Sequence, residues 1–358
     1  MQLLMSVLGT TALLASGVRF TPLHSAPGSI SISRYRPPLG CAAQAVARAL
    51  TTADAAAAEP TSVAASGQPV RLAFSEVASG ASLIGGDRAP LVILHGLFGA
   101  SGNFQSWASQ LSTELRAAQK QRRILLVDLR NHGDSGHGSD MSWPTMASDV
   151  DALLQKEAIP RAVVMGHSLG GKVAMALALT KPERVERLVV VDMAPVSYTS
   201  DDGSNWGDIR AVVVAVQTVE LARILSKRDA DAVLSRSVAD PGLRAFVLMN
   251  LVRTSTGGFR WRFNLEAIAA SLPKLARWEP IGGQQYGGNT LFVGGGKSKY
   301  VRSSHLEAIS SHFSRFSIST VRNAAHWVHA DEPEALSLIV QSFLDAPNVL
   351  PPSHNRIE

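Results

Sequence analysis

The stretch that decides the fold is Val163-Val164-Met165-Gly166-His167-Ser168-Leu169-Gly170-Gly171-Lys172. Residues 162–165 form an apolar, valine-rich run that favours a buried strand, and the alanine-rich residues 172–180 favour a helix. The glycines of the Gly-x-Ser-x-Gly motif between them lack a Cβ where neighbouring chains must approach closely. Strand, motif and helix together predict a nucleophile elbow, in which Ser168 stands on a tight, strained turn at the N-terminus of the helix.

Two other motifs compete with this interpretation. Residues 166–172 also fit the Gly-x4-Gly-Lys pattern of a phosphate-binding loop, but Val173 follows where a Ser or Thr hydroxyl would bind magnesium. Residues 133–136, Gly-Asp-Ser-Gly, are similar to the serine loop of trypsin-like proteases. Those proteases are all-β and disulfide-linked, whereas this chain alternates strands with helices and has a single cysteine. Both alternatives are therefore disfavoured.

A serine needs a general base to become a strong nucleophile, and after a nucleophile elbow the acid and then the base follow in the chain. Five of the ten histidines come after Ser168. His326 is the predicted base because it lies in the loop between a last strand at residues 316–321 and a final helix at residues 333–344. The alternative is His329.

The acid is predicted at Asp192, which directly follows the apolar strand at residues 188–191, the next strand after the elbow. An acid after the seventh strand is the commoner arrangement. Here the predicted seventh strand, residues 290–293, is followed by Gly-Gly-Gly-Lys-Ser-Lys-Tyr at residues 294–300, which contains no carboxylate. Other candidates for the acid are Asp331 and Glu332.

The oxyanion formed during acyl transfer needs two fixed N–H donors. One predicted donor is the backbone N–H of Leu169, directly after the nucleophile. The other is expected in the loop after the apolar strand at residues 91–94, where Leu97 or Phe98 would supply the N–H. His95, which opens this His-Gly loop, is interpreted as a structural residue that holds it.

Four motifs carry a family resemblance, at residues 95–99 (His-Gly-Leu-Phe-Gly), 127–135 (Val-Asp-Leu-Arg-Asn-His-Gly-Asp-Ser), 166–172 and 191–196 (Val-Asp-Met-Ala-Pro-Val). Together they resemble one subgroup of the α/β-hydrolases, which contains small bacterial carboxylesterases and the animal mitochondrial abhydrolase domain-containing protein 11. The similarity spans about residues 70–346. It implies an α/β fold with a mostly parallel eight-stranded sheet, flanking helices and an inserted helical cap.

The resemblance also bears on individual residues. In this subgroup the acid follows the sixth strand, and a Gly-Gly-x-Ser-x-Tyr-Val loop, here residues 295–301, replaces the usual acid loop. The family pattern therefore implies Asp192 as well. It further implies that Asp128 and Arg130 tie loops together and that the histidine and serine of residues 129–135 have no catalytic role.

The chain is predicted to consist of a leader at residues 1–67, a hydrolase core at 68–200 and 285–347, a helical cap at 201–284 and a tail at 348–358. A cap is expected because the strand–helix alternation lapses after Asp192 into helical-looking segments, at residues 208–217, 219–226, 229–237, 241–252 and 265–270. Its large apolar side chains are expected to form the cap core or to cover the serine: Trp206, Phe246, Met249, Trp261 and Phe263.

Residues 1–53 contain four arginines and no acidic residue, and they are rich in Ser, Thr and Ala. This composition predicts an organellar transit peptide, with a signal peptide or a disordered tail as alternatives; the family favours the mitochondrion over the plastid. Removing these four positive charges lowers the formal net charge from +5 to +1, so nothing argues for nucleic acid. Residues 3–18 are too short to span a membrane. The only cysteine, Cys41, lies in the leader, which predicts a mature chain without disulfides.

These observations predict a serine hydrolase that cleaves a carboxylic ester or thioester through an acyl-enzyme, with Ser168, Asp192 and His326 as its triad and no cofactor or metal. The alternative is a non-catalytic ligand-binding or partner-protecting protein on the same scaffold, because a fold does not determine a function. The natural substrate, the oligomeric state and the existence of a protein partner stay open.

Overall fold

The computed structural model describes residues 30–31, 63–64, 67–77, 88–199, 206–279, 281, 283 and 285–347. The tail predicted at residues 348–358 lies outside them, as does the predicted leader except for two short strands and its last residue. The transit peptide therefore stays a prediction.

A central sheet organises the described residues. The strands are β1 (Ile30–Ser31), β2 (Val63–Ala64), β3 (Phe74–Glu76), β4 (Leu91–Leu94), β5 (Ile124–Val127), β6 (His137–Gly138), β7 (Ala162–His167), β8 (Val185–Val191), β9 (Leu251–Arg253), β10 (Phe259–Trp261), β11 (Asn289–Gly295) and β12 (Phe316–Val321). The sheet has the order β1-β12-β11-β8-β7-β4-β5-β3. Its pairs are parallel except that β3 runs antiparallel to β5, and the two-residue β1 makes the eighth strand at one edge. The predicted mostly parallel α/β sheet is confirmed.

The central strands are continuous apolar runs because both faces of the sheet are covered. In β4 every residue is buried, and successive side chains point to opposite faces. Leu91 and Ile93 belong to one hydrophobic cluster, and Val92 and Leu94 to the other. This pattern produces a three-layer molecule with the sheet in the middle.

Helices fill both outer layers and the insertion after β8. They are α1 (Gln105–Ala117), α2 (Trp143–Lys156), α3 (Leu169–Thr180), α4 (Trp206–Gln217), α5 (Lys227–Leu234), α6 (Pro241–Leu248), α7 (Leu265–Ala276), α8 (Leu306–His312), α9 (Val328–Asp331) and α10 (Pro333–Asp345). Short 3-10 turns occur at Ser101–Phe104, Pro182–Arg184, Leu221–Arg223 and Ser303–His305. Helices α1 and α10 cover one face of the sheet, and α2 and α3 the other. Within the described part of the chain, no helix is both long and apolar enough to cross a membrane.

Helices α4 to α7 form the inserted cap between β8 and β11, as the α/β-hydrolase fold predicts. Two of its predicted elements were wrong. The helix expected at residues 241–252 ends at Leu248, and the segment expected at 219–226 contains only a 3-10 turn. The helix ends early because Leu251 and Trp261 are buried partners in a hairpin of β9 and β10, whose connection contains Gly257 at φ 90°. The exact cap boundaries stay a prediction.

Two acidic residues and one arginine tie the loops of the core together. The Asp128 carboxylate accepts hydrogen bonds from the N–H groups of Ser101 (2.6 Å) and Asp134 (2.9 Å). The fully buried Arg130 guanidinium binds both carboxylate oxygens of Asp149, at 2.6 and 2.7 Å. Such two-point pairs are directional, so they hold the loops at the carboxyl edge of the sheet in register.

Candidate active site

Ser168 stands between β7 and α3 in a strained conformation. Its φ of 53° and ψ of −117° lie in a region that residues other than glycine rarely adopt. Neighbouring strands hold the turn, since the Ser168 N–H donates to Val191 O at 3.1 Å and the Gly170 N–H donates to His95 O at 3.0 Å. The half-buried serine is thereby presented at the carboxyl edge of the sheet.

The two glycines that flank Ser168 are required by space. A Cβ on Gly166 would overlap the carbonyl oxygen of Gly170, and a Cβ on Gly170 would overlap the carbonyl oxygen of Leu94. Both obstacles are backbone atoms, which cannot rotate away as a flexible side chain would. The turn therefore depends on glycine at both positions.

We expect Gly170→Ala to lower the free energy of unfolding by about 2 kcal/mol or more, because the added methyl group meets the backbone of β4. Gly102→Ala is the control, since a Cβ there meets nothing within 4 Å. Its free energy of unfolding should stay within about 1 kcal/mol of wild type. Urea denaturation measures both variants, and a Gly170→Ala protein as stable as wild type would show that the turn accommodates a side chain.

Asp192 and His326 lie together at the ends of two strands. Asp192 follows β8 with a φ of 49° and is fully buried, and His326 lies in the loop after β12. His326 Nδ1 is 2.7 Å from Asp192 Oδ2. The carboxylate also accepts hydrogen bonds from the Gly295 N–H at 3.0 Å and from Ser298 Oγ at 2.5 Å. Three donors therefore fix the position of the buried carboxylate.

The alternative acids and base have other environments. Asp331 Oδ2 accepts a hydrogen bond from the Ala325 N–H at 2.8 Å, and Glu332 precedes α10. His329 is buried and stacks on Phe104 with 4.1 Å between ring centroids, and burial lowers its pKa to about 3. A histidine that stays neutral and enclosed is a poor proton acceptor, so His326 remains the better candidate for the base.

The serine turn and the His326 loop are joined by His167. Its Nε2–H donates to the backbone carbonyl of His326 at 2.8 Å, and the two rings are 4.7 Å apart. The Tyr300 ring lies 4.5 Å from the His326 ring. Tyr300 and Ser168 line one cavity, so the ring in contact with His326 borders the same space as the predicted nucleophile.

Of the predicted oxyanion donors, the structure favours two over the third. Leu97 and Leu169 line the cavity together with Ser168. As the first residue of α3, Leu169 has no acceptor for its N–H within the helix. The Phe98 N–H instead donates to His132 Nε2 at 3.2 Å, so it is occupied. Leu97 is therefore the better candidate for the second donor.

Two buried histidines hold this loop as neutral rings. His95 Nδ1–H donates to Gly96 O at 2.8 Å, while its Nε2 accepts from the Leu129 N–H at 3.0 Å. His132 Nδ1–H donates to Arg130 O at 2.9 Å. Burial lowers the pKa of both imidazoles, that of His132 to about 3. Each ring uses one nitrogen as donor and the other as acceptor, which fits a structural role.

Because of these neutral histidines, we expect the folded protein to lose stability as the pH falls below about 6.5. Between about pH 6.5 and the folded-state pKa of about 3, His132 is protonated in the unfolded chain but not in the folded one. The unfolded state then binds more protons, so the free energy of unfolding falls with falling pH, by about 2 kcal/mol at pH 5 from His132 alone. Urea denaturation between about pH 7.5 and pH 5 measures it, above the range where most carboxylates titrate. A constant free energy of unfolding over this range would contradict the expectation.

The cavity in front of Ser168 is lined by residues of both the core and the cap: Leu97, Trp143, Leu169, Lys172, Met193, Tyr198, Trp206, Ile209, Leu275 and Tyr300. Of the cap aromatics considered from sequence, Trp206 lines this cavity, whereas Trp261 and Phe263 are buried and stack on each other at 5.1 Å. Nine of the ten lining side chains that accompany Ser168 are uncharged. The described wall of this cavity is therefore mainly apolar and aromatic.

Three contributors to the site were not predicted as such. Ser298 binds the Asp192 carboxylate, and its position in the loop after β11, the neighbour of β8, was the available signal. Tyr198 Oη donates to Tyr300 O at 2.7 Å and accepts from the Ala194 N–H at 3.0 Å. No sequence pattern indicated that contact. Lys172 lies in the first turn of α3, four residues after Ser168, and lines the same cavity.

Comparisons with known proteins agree with this architecture. A family model described as the alpha/beta hydrolase fold matches residues 89–333. The protein named sn-1-specific diacylglycerol lipase ABHD11 of Mus musculus is 43% identical over 266 residues, covering 74% of this chain and 84% of that protein. Esterase YbfF of Escherichia coli strain K12 is 29% identical over 259 residues, covering 72% of this chain and 94% of that protein. A solved structure of a marine microorganism esterase has a TM-score of 0.70 and 28% identity, and it covers 76% of this chain and 99% of its own.

The family model spans more than half of the chain, and the similarity to ABHD11 and to bacterial esterases confirms the subgroup predicted from the four motifs. Fold, family match and esterase neighbours agree. The chain belongs to the α/β-hydrolase fold family, on its ABHD11-like branch, and is an ester-hydrolysing enzyme.

Proposed function

We propose that this enzyme is a serine hydrolase whose triad is Ser168, His326 and Asp192. Ser168 Oγ attacks the carbonyl carbon of an ester or thioester, while His326 takes the hydroxyl proton and Asp192 orients the imidazole. The observation that carries the proposal is the 2.7 Å contact between His326 Nδ1 and the buried Asp192 carboxylate, beside a strained serine turn. That contact leaves Nε2 as the nitrogen that receives the proton.

The negative charge of the tetrahedral intermediate needs compensation. We assign this role to the backbone N–H groups of Leu169 and Leu97, with Phe98 as the less favoured candidate because its N–H binds His132. His326 then gives its proton to the leaving alcohol or thiol, and a water molecule attacks the acyl-enzyme with His326 as base. No step in this sequence requires a cofactor.

The substrate is proposed to be a small ester or thioester whose acyl group enters the cavity between the core and the cap. The largely uncharged lining supports this placement. Among relatives, the ABHD11 proteins carry the name sn-1-specific diacylglycerol lipase, and YbfF the name esterase. A mitochondrial location remains a prediction from the leader composition and the family.

Labelling of the full chain with a fluorophosphonate probe, together with turnover of short-chain esters and thioesters, tests this proposal. We expect covalent labelling at Ser168, identified by mass spectrometry of the modified peptide, and turnover that the probe abolishes. A chain that neither reacts with the probe nor hydrolyses any ester or thioester, but binds small molecules tightly, would favour the non-catalytic alternative.

A further inference from the structure

Lys172 places a buried amine at the wall of the cavity that Ser168 lines. The residue lies on α3 one turn after Ser168, and its side chain is 2% exposed. Its Nζ lies 5.0 Å from the ring centroid of Tyr198, 5.3 Å from that of Trp143 and 6.0 Å from that of Trp278. The ammonium is thus surrounded by aromatic faces in a cavity that it shares with the serine.

The other contacts of this ammonium are weak. Its hydrogen bond to the carbonyl oxygen of Arg277 is 3.5 Å long. In the described part of the chain, no carboxylate oxygen lies within 4.0 Å of Nζ. Burial without a compensating charge lowers the pKa of Lys172 to about 7. Removing an ammonium from water costs several kcal/mol, which a methionine or leucine of similar size would avoid.

The position of Lys172 relative to Ser168 limits what it can bind. Ser168 directly precedes α3, Lys172 lies in its first turn, and both side chains line the same cavity. An acyl group attached to Ser168 and extending into the cavity therefore shares that space with the Lys172 side chain. Among the described residues that line the cavity, Lys172 is the only charged one, so this part of the wall offers a single positive charge when the amine is protonated. One positive charge balances the single negative charge of a carboxylate, whereas a phosphate dianion carries two negative charges.

We propose that Lys172 is a specificity-determining residue that binds a carboxylate at the free end of the substrate's acyl group, so that the enzyme acts on half-esters or half-thioesters of dicarboxylic acids. This inference rests on the proposed function and names the substrate class of the same site. The aromatic faces hold the ammonium in place, and an arriving carboxylate supplies the charge-assisted hydrogen bond that the protein leaves unmade.

A matched pair of esters tests the proposal on the full chain. Monoethyl glutarate carries a carboxylate where ethyl 5-methylhexanoate carries an isopropyl group of the same shape, and ethanol release measures both. We expect wild type to prefer the charged ester, and Lys172→Met to lower the ratio of kcat/KM for the charged ester to that for the neutral ester by about 10- to 100-fold. Lys156→Met, an exposed position at the end of α2, is the control and should leave the ratio as in wild type.

Several outcomes overturn the proposal. The proposal is wrong if wild type hydrolyses the neutral ester as fast as the charged one. This outcome does not depend on whether Lys172→Met folds. The proposal is also wrong if Lys172→Met lowers kcat/KM equally for both esters, because that result indicates that the lysine only supports the packing of α3. A ratio that falls as far in Lys156→Met assigns the effect to the overall charge of the protein and not to the cavity.

A binding measurement separates this proposal from the triad. Calorimetry with monoethyl glutarate on Ser168→Ala reports on the carboxylate site without turnover. We expect monoethyl glutarate to bind Ser168→Ala, and to bind Ser168→Ala/Lys172→Met with a dissociation constant at least tenfold larger. If wild type hydrolyses neither ester but this difference in binding holds, the proposed serine chemistry fails and the carboxylate site stands. If hydrolysis occurs but binding is the same in both variants, the carboxylate site fails alone.

Discussion

Ser168→Ala is expected to lower kcat for ester hydrolysis by at least about 10⁴-fold and to abolish fluorophosphonate labelling, because no other group can form the acyl-enzyme. The variant should fold normally. Alanine meets the same backbone strain as serine at a φ of 53°, and the half-buried hydroxyl is not needed to fill the core. Rates with a short-chain ester, labelling and thermal unfolding measured on one preparation separate loss of chemistry from loss of structure.

The control for this variant is Ser148→Ala. Ser148 is exposed on α2, where its hydroxyl donates to Pro144 O at 2.9 Å. Activity and labelling should both match wild type. If Ser168→Ala retained labelling while its thermal unfolding was unchanged, another nucleophile would carry the activity and the assignment of the elbow serine would be wrong.

Asp192→Asn is expected to lower kcat by about 10⁴-fold with a smaller change in KM, since the acid orients the imidazole and contributes little to substrate binding. The carboxylate accepts from His326 Nδ1, the Gly295 N–H and Ser298 Oγ. An asparagine amide in the same place has only one oxygen, so its NH2 group must face a donor. His326 then turns or adopts the wrong tautomer, and Nε2 no longer accepts the serine proton.

Asp331→Asn is the matched control, because Asp331 was the other aspartate considered for the acid. Its carboxylate is exposed and accepts only the Ala325 N–H among the hydrogen bonds described for it. We expect kcat to change by less than about threefold, because an exposed hydrogen bond contributes little free energy. If Asp192→Asn kept the wild-type kcat, or if Asp331→Asn lost most of its kcat, the assignment of Asp192 as the acid would be wrong.

Much of the fold was predictable from residue patterns, for a physical reason. Strands buried on both faces must be apolar throughout, so the apolar run at residues 91–94 predicted β4 with the bounds that the structure has. The partly exposed β12 was also predicted with its observed bounds. The cap was harder. The hairpin of β9 and β10 contains only three residues in each strand. So short an alternation of apolar and polar residues is hard to detect next to the helical pattern that precedes it.

By itself the sequence determined the α/β fold, the elbow at Ser168 and the candidates Asp192 and His326, because each depends on local chain order at the end of a strand. Only the tertiary structure decided which groups meet across the sheet. It brings Ser298 to the carboxylate, occupies the Phe98 N–H with His132, and encloses Lys172 in aromatic rings. Such contacts join residues up to about a hundred positions apart, and they follow from side-chain packing that no spacing along the chain encodes.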